Sequence, residues 1–425
     1  MATITLSRSQ LRQVLAASSG NVVEWYDWLI YSYLSVYFAD QVFPDSGNRL
    51  VPILATFAIF AVGFVMRPVG GLVLGVYADR MGRRAAMVLT VTIMGAGQVL
   101  MTALPTYEQV GLLSPVLLLI IRLGQGFAVG GEFAISSVFL VESAPAGARG
   151  LYSSYSYVGS NLGQLLAAGA AALMSNLVSE DGMHDWGWRV PFAVGAVACL
   201  VGIWIRRGTV ETHADVDRMA SGEVGRPHLF EFLRRHPRQA VTIVGMTVGP
   251  TVAFYTWAVY LPTYANITTG YDPARALTVS TLALVVFTVI QPVAGVLSDR
   301  IGRKPLLVGS ALGFAVLTVP LLAMLGTSFW NLMIITLIGM VFLTGYTAVA
   351  AAAMVELFPA RVRTAGIGFP YSLTVAAFGG TAPFLATLLV ESGRAGLFGW
   401  YVAATALISA VVFIRMPETR DRDID

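Results

Sequence analysis

Five ionisable side chains stand inside long apolar runs of the sequence: Glu24 and Asp27 in the first run, Arg67 in the second, Arg122 and Glu132 in the fourth. A charge held at bilayer depth is costly, and such groups persist where they pair with one another or handle ions and substrates. Guanidinium is always protonated and forks onto carboxylate, so a buried arginine suits a site that must hold an organic anion. Carboxylates beside it suit proton exchange. The alternative is that these charges only pin helices together as internal ion pairs. At about 1.5 Å per residue, Arg67 lies about 18 Å before Asp79 at the end of its run, and Glu132 about 15 Å before Glu142. Asp27 is thirteen residues from Asp40 and is also near mid-depth; Arg122 is further out and Glu24 nearest one surface. Glu24 and Asp27 at i, i+3 share a helix side, which Tyr31 extends. Tyr157, Asn161 and Gln164, four and three apart, draw one polar stripe on the fifth run.

These residues need membrane-spanning elements to position them. The chain is 56% hydrophobic with 12% charged residues, against about a quarter charged in soluble proteins; this is a polytopic membrane protein. Cys199 is the single cysteine, so no disulfide joins the chain to itself. His184, His213, His228 and His236 all fall in loops or at their margins, which argues against a metal site or a histidine proton relay. No nucleophile and base stand together as in an enzyme, and no cofactor is expected. The net charge of +3 comes from cations at the ends of apolar runs, which is topology rather than a nucleic-acid surface.

Runs of about 20 apolar residues cross a bilayer. They fall at 18–40, 51–78, 84–104, 112–142, 150–178 and 188–206, then at 239–265, 274–298, 304–325, 329–357, 365–390 and 395–415. The first is read as a span and not as a cleaved leader. The chain divides into an N-terminal bundle (1–206), a polar linker (207–238) containing Asp215, Gly222 and Pro227, and a C-terminal bundle (239–425). Arg12, Arg80, Arg83, Arg84, Arg149, the segment Arg206–Arg238, Arg300, Arg303, Lys304, Arg361 and Arg363 lie on one side; Arg49, Arg189, Arg275 and Arg394 lie on the other. Positive residues stay inside, which predicts cytoplasmic termini, linker and basic loops. Leu229–Arg235 reads as a short amphipathic helix on that surface.

The two bundles are copies. Gly75-Val-Tyr-Ala-Asp79-Arg80-Met-Gly82-Arg83-Arg84 returns 220 positions later as Gly295-Val-Leu-Ser-Asp299-Arg300-Ile-Gly302-Arg303-Lys304. Glu142-Ser-Ala-Pro145-Ala-Gly-Ala-Arg149 returns as Glu356-Leu-Phe-Pro359-Ala-Arg-Val-Arg363. Doubled membrane halves hold substrate between them near the midplane. On alignment Arg67 falls opposite Phe287, Arg122 opposite Thr336 and Glu132 opposite Tyr346, so the charged work sits in the first half. The interiors of the last six runs offer Tyr255, Tyr260, Gln291, Tyr346, Tyr371 and Ser372 instead. Asp79 is placed to pair with Arg149 or a neighbouring helix end, and Glu142 with Arg83; Asp299, Arg363, Glu356 and Arg303 repeat the arrangement.

This motif pair resembles the signature loops of the major facilitator superfamily. Gly20-Asn-Val-Val-Glu24-Trp-Tyr-Asp27, Met66-Arg67-Pro-Val-Gly-Gly71, Arg122-Leu-Gly-Gln-Gly-Phe-Ala-Val-Gly-Gly-Glu132 and Trp186-Gly-Trp-Arg-Val-Pro-Phe192 are similar to those of its metabolite–proton symporters. The resemblance implies an all-α membrane fold of twelve transmembrane helices in two pseudo-symmetric six-helix bundles, working by alternating access. It implies proton-coupled import of a small carboxylate across a bacterial inner membrane, α-ketoglutarate first, with shikimate, citrate, proline or betaine as alternatives. The chain is expected to act as a monomer, with lipid around it and no nucleic-acid partner. Arg67 and Arg122 would anchor carboxylate, and Tyr31, Tyr157, Asn161, Gln164, Tyr255, Tyr346 and Tyr371 would line the cavity. Asp27 and Glu132, with Glu24 next, would exchange protons. Asp79, Arg83, Glu142, Arg149, Asp299, Arg303, Glu356 and Arg363 would form the gate.

Overall fold

A computed structural model describes residues 8–44, 50–213, 216–221, 223 and 225–424; Arg49, Asp215 and Gly222 lie outside the described residues. Twelve long helical segments carry the chain: α1 (Arg8–Val42), α2 (Leu50–Met81), α3 (Arg83–Thr102), α4 (Leu113–Glu142), α5 (Arg149–Leu177) and α6 (Arg189–Arg207). After the linker follow α7 (Pro237–Thr269), α8 (Pro273–Ile301), α9 (Lys304–Ala323), α10 (Phe329–Val355), α11 (Ala360–Glu391) and α12 (Gly396–Arg415). Each overlaps one of the expected spans. Ten are long and apolar enough to cross a bilayer by composition alone; the other two, α1 and α5, hold the polar stripes read from sequence. Helices with polar side chains belong inside a bundle, where neighbours satisfy them.

Two of the C-terminal helices change pitch at corresponding places. The turns Tyr255–Tyr260 in α7 and Val375–Gly379 in α11 are π-helical, and each starts five residues after a proline, Pro250 or Pro370. Proline removes a backbone donor, and such widened turns recur at functional sites. Here they turn Tyr255 and Val375 to the centre of the molecule.

Glycine sets how closely the helices approach. A Cβ on Gly130 of α4 would meet Arg67 Cα of α2 at 2.7 Å, so α4 presses directly against the backbone that carries Arg67. Between the halves, a Cβ on Gly75 would meet Ala365 Cα at 2.7 Å, and one on Gly150 would meet the Gly295 carbonyl oxygen at 2.6 Å. Thus α2 meets α11, and α5 meets α8, backbone to backbone.

Candidate transport site

At the centre, a cavity is lined from both halves: Asn21, Glu24 and Trp25 of α1, Arg67 of α2, Val129 and Phe133 of α4, Tyr157 and Ser160 of α5. From the other half come Pro250, Thr251, Phe254 and Tyr255 of α7, Tyr346 of α10, and Tyr371, Ser372 and Val375 of α11. Its volume is about 40 Å³. A water needs about 10–15 Å³ on this measure, so the cavity holds a few waters and must widen to take an organic acid. Aromatic rings close it from opposite halves: Phe133 stacks on Tyr371 at 4.0 Å, and Trp25 meets Phe254 edge-on at 5.4 Å.

Arg67 is the charged feature that sets this cavity apart. Its guanidinium carbon lies 4.4 Å from the Trp28 ring centroid and 4.3 Å from that of Phe64. Among the described residues six arginines are buried: Arg67, Arg83, Arg122, Arg206, Arg303 and Arg363. Five have a carboxylate oxygen within ion-pair distance, and among the described residues Arg67 has none. Glu24 is buried on the same cavity wall and is likewise outside every ion pair among the described residues.

The other charges read as site residues are committed elsewhere in this state. Asp27 accepts hydrogen bonds from Gln98 and Gln125, each at 2.7 Å, and its second oxygen lies 3.4 Å from Arg122. Arg122 sits 3.6 Å from the Tyr31 ring centroid, and the Tyr31 hydroxyl donates to the Thr56 carbonyl at 2.9 Å. Arg122, Asp27 and Tyr31 therefore form a closed set inside the N-terminal bundle. Glu132 does not turn toward Arg67. It is paired with Arg206 and accepts from Thr90, while Arg206 also donates to the carbonyls of Ala16 and Met87. Arg206, grouped by sequence with the basic loop, is fully buried. Asn161 and Gln164 are buried without lining the cavity. Tyr157, Tyr255, Tyr346 and Tyr371 do line it. The aromatics Trp25, Phe133 and Phe254 line it too, beyond the residues expected from sequence. Asn21, Glu24, Trp25 and Trp28 fall on one helical stripe, the signal that would have found that side of α1.

On the face with the basic loops, the duplicated motifs interlock the halves. Asp79 accepts from the backbone N–H groups of Thr364 and Ala365, at 3.1 and 3.0 Å, and from Arg83 at 2.9 Å. Asp299 accepts from Gly150 and Leu151 N–H, at 2.8 and 2.9 Å, and from Arg303 at 2.8 Å. Each carboxylate caps the first helical turn of the opposite half, where orphan donors and the helix dipole favour an anion. Asp79 pairs with this helix end and not with Arg149. Glu142 bridges Arg83 at 3.4 Å and Arg363 of the other half at 2.7 Å; Glu356 bridges Arg303 at 3.1 Å and Arg149 at 3.9 Å.

A third repeat completes the network. Glu211 accepts from Arg83 and Arg84 N–H, and Thr212 donates to Glu142; Glu418 accepts from Arg303 and Lys304 N–H, and Thr419 donates to Glu356. Partial burial alone would raise the Glu418 pKa, but the backbone donors of Arg303, Lys304, Arg420 and Thr419 hold it below the usual glutamate value. Two shared residues, Glu-Thr, are too few to stand out in a sequence. The tail also reaches both halves: Arg149 donates to the Arg422 carbonyl and Arg363 to the Ile424 carbonyl.

Asp79→Asn keeps an acceptor but loses the charge that these contacts use. We expect average distance between labels at Arg84→Cys and Lys304→Cys to lengthen, because a coupling of about 1–3 kcal/mol shifts populations 5- to 150-fold. Substrate should still alter the distance. An unchanged distance with all ligand response lost would place Asp79 in the binding chemistry.

Comparison with known proteins agrees with this architecture. The profile described as Major Facilitator Superfamily matches residues 28–287. The chain belongs to the Major Facilitator Superfamily. A second profile, Sugar (and other) transporter, matches residues 209–425. The chain is 37% identical over 412 residues to alpha-ketoglutarate permease of Escherichia coli (strain K12), covering 96% of this chain and 94% of that one. It is 33% identical to a citrate-proton symporter of Salmonella typhi, over 95% of this chain and 94% of that one. It is 30% identical to the proline/betaine transporter of E. coli (strain K12), over 97% and 84%. Among solved structures, the proton:xylose symporter XylE superposes with a TM-score of 0.77 at 18% identity, covering 98% of each chain. FucP, the E. coli fucose:proton symporter, gives 0.74 at 14% identity, covering 96% of this chain and 99% of that one. These two show the fold. The protein is a multi-pass membrane transporter of the superfamily, and not an enzyme.

Proposed function

We propose that this superfamily member imports a small carboxylate, α-ketoglutarate or a related dicarboxylate, with protons, by alternating access. The carrying observation is Arg67: a buried guanidinium on the central cavity with no carboxylate within 4 Å among the described residues. An unpaired buried cation is costly, and a substrate carboxylate forking onto it removes that cost. The hydroxyls of Tyr157, Tyr255, Tyr346 and Tyr371 stand on the same walls to receive the rest of the acid. Similarity to a permease named for α-ketoglutarate, a dicarboxylate, and a symporter named for citrate, a tricarboxylate, supports a small organic carboxylate. The basic loops support an inner-membrane orientation with both termini cytoplasmic.

Coupling follows from Glu24. It shares the cavity with Arg67, so an ionised Glu24 competes with an incoming carboxylate for the same cation. A proton on Glu24 ends the competition, and proton and substrate then enter together. Asp27 with Arg122, and Glu132 with Arg206, act in this reading as ties within the N-terminal bundle. The duplicated Asp79 and Asp299 networks act as the gate, present while the basic face is closed.

One observation favours a second reading. Arg122 is already matched by Asp27, which leaves one unpaired cavity cation, and Trp25, Phe133, Phe254 and the tyrosines surround it with rings. A carboxylate with a quaternary ammonium would fit such a site through cation–π contact, and proline/betaine transporters are among the relatives. Uptake into proteoliposomes under an inward proton gradient decides. Labelled α-ketoglutarate or citrate should accumulate, and a protonophore should abolish the accumulation. Accumulation of proline or betaine instead establishes the second reading, and uptake indifferent to the gradient overturns proton symport.

A further inference from the structure

We propose that the linker segment from Arg226 to Arg238 is a binding surface for anionic phospholipid headgroups, and that its occupancy favours the state in which the basic face is closed. The segment lies at the membrane boundary by connectivity, since α7 begins at Pro237. Leu229, Phe230 and Leu233 are 40%, 45% and 37% exposed, and four exposed arginines accompany them: Arg226, Arg234, Arg235 and Arg238. Apolar side chains beside arginines suit the boundary between headgroups and acyl chains.

The charge is not cancelled locally. The one carboxylate in the segment, Glu231, is buried, accepts from His228 N–H at 3.0 Å, and is paired with Arg361 at 3.2 Å and Arg235 at 3.0 Å. Among the described residues no carboxylate lies within 4 Å of Arg226, Arg234 or Arg238. Phosphodiester headgroups are the abundant anions at that depth, and a cluster of arginines immediately beside a span reads them electrostatically.

The link to the gate is geometric. Arg80, inside the first signature loop, donates two hydrogen bonds to the Pro227 carbonyl at 2.9 and 2.7 Å. Four residues on, Glu231 holds Arg361 at the start of α11, and the buried Phe232 packs near Phe369 of α11 at 6.1 Å between centroids. One short segment therefore grips α2 of the first half and α11 of the second, the two helices that meet across the closed seam. Separating them breaks one grip. A headgroup that orders this segment stabilises the arrangement in which both grips exist, and so shifts the population toward it.

The test uses the full chain, with Arg84→Cys and Lys304→Cys labelled; the native Cys199 is buried. The inter-label distance is measured in neutral phosphatidylcholine bilayers and in bilayers containing phosphatidylglycerol. Phosphatidylglycerol should enlarge the short-distance population several-fold, less so at high salt. The variant R226Q/R234Q/R238Q should lose most of the response, at about five-fold in lipid affinity per arginine. The single Arg234→Gln variant should lose part of it, which keeps the test available if the triple variant folds poorly. A parent without lipid response, a triple variant that responds like the parent, or inorganic phosphate reproducing the shift in neutral bilayers would each overturn the proposal. None of these readouts involves substrate, so failure here leaves the transport assignment standing and the reverse also holds.

Discussion

Arg67→Lys is expected to take substrate uptake down to background, as is Arg67→Ala. A charge-assisted hydrogen bond contributes about 1.5–3 kcal/mol. Losing both arms of a guanidinium fork thus weakens carboxylate binding by roughly a hundredfold to ten-thousandfold. Lysine keeps the charge but presents a compact ammonium that cannot fork or offer a planar face to the Trp28 and Phe64 rings that Arg67 lies over. Expression and melting temperature should change little, because Arg67 has no carboxylate partner to strand. The measurement is paired: initial uptake in proteoliposomes, and the rise in melting temperature on adding α-ketoglutarate or citrate. Normal uptake by the lysine variant would remove Arg67 from the anion site.

Glu24→Gln should separate proton drive from movement of substrate. Glutamine is permanently neutral, so a variant that no longer competes for Arg67 should still exchange substrate in counterflow while failing to concentrate it under a pH gradient. Asp27→Asn and Glu132→Gln are expected to behave differently. Each strands a buried arginine, Arg122 or Arg206, at about 3–5 kcal/mol for a broken buried pair, so loss of melting temperature should accompany any loss of transport. If Glu24→Gln concentrates substrate like the parent while Asp27→Asn is stable and uncoupled, the proton site is the Asp27 cluster and the tie reading is wrong.

Most of the fold was legible because membrane spans announce themselves by length and because the chain repeats itself. The signature pair at Asp79 and Asp299 carried the duplication, and the twelve apolar runs carried the helices. The site was legible only in part. Arg67 could be found because no loop explains an arginine in the middle of an apolar run. Arg206 could not, since it sits beside the exposed Arg207 at the end of α6, and side chains one position apart on a helix diverge by about 100°. The same angular argument separates Glu24 from Asp27. Three residues apart, they sit about 60° from each other around the helix, enough to aim one into the cavity and the other at Gln98, Gln125 and Arg122. Sequence spacing says which charges are deep; partner choice depends on helices that are distant in the chain.

The seams between halves, where Gly75 meets Ala365 and Gly150 meets Gly295, bear on how fast the cycle can turn. A closing surface of long side chains would freeze rotamers on every closure and release them on every opening, at up to about 2 kcal/mol for each long side chain immobilised. Bare backbone has no rotamers to lose. Closure along these bare stretches avoids that entropic toll, which is left to the long side chains that do meet across the halves, such as Arg363 with Glu142 and Arg149 with Glu356. The same bareness makes the seam intolerant of added atoms, since a new Cβ would meet backbone first, Ala365 Cα at Gly75 and the Gly295 carbonyl oxygen at Gly150.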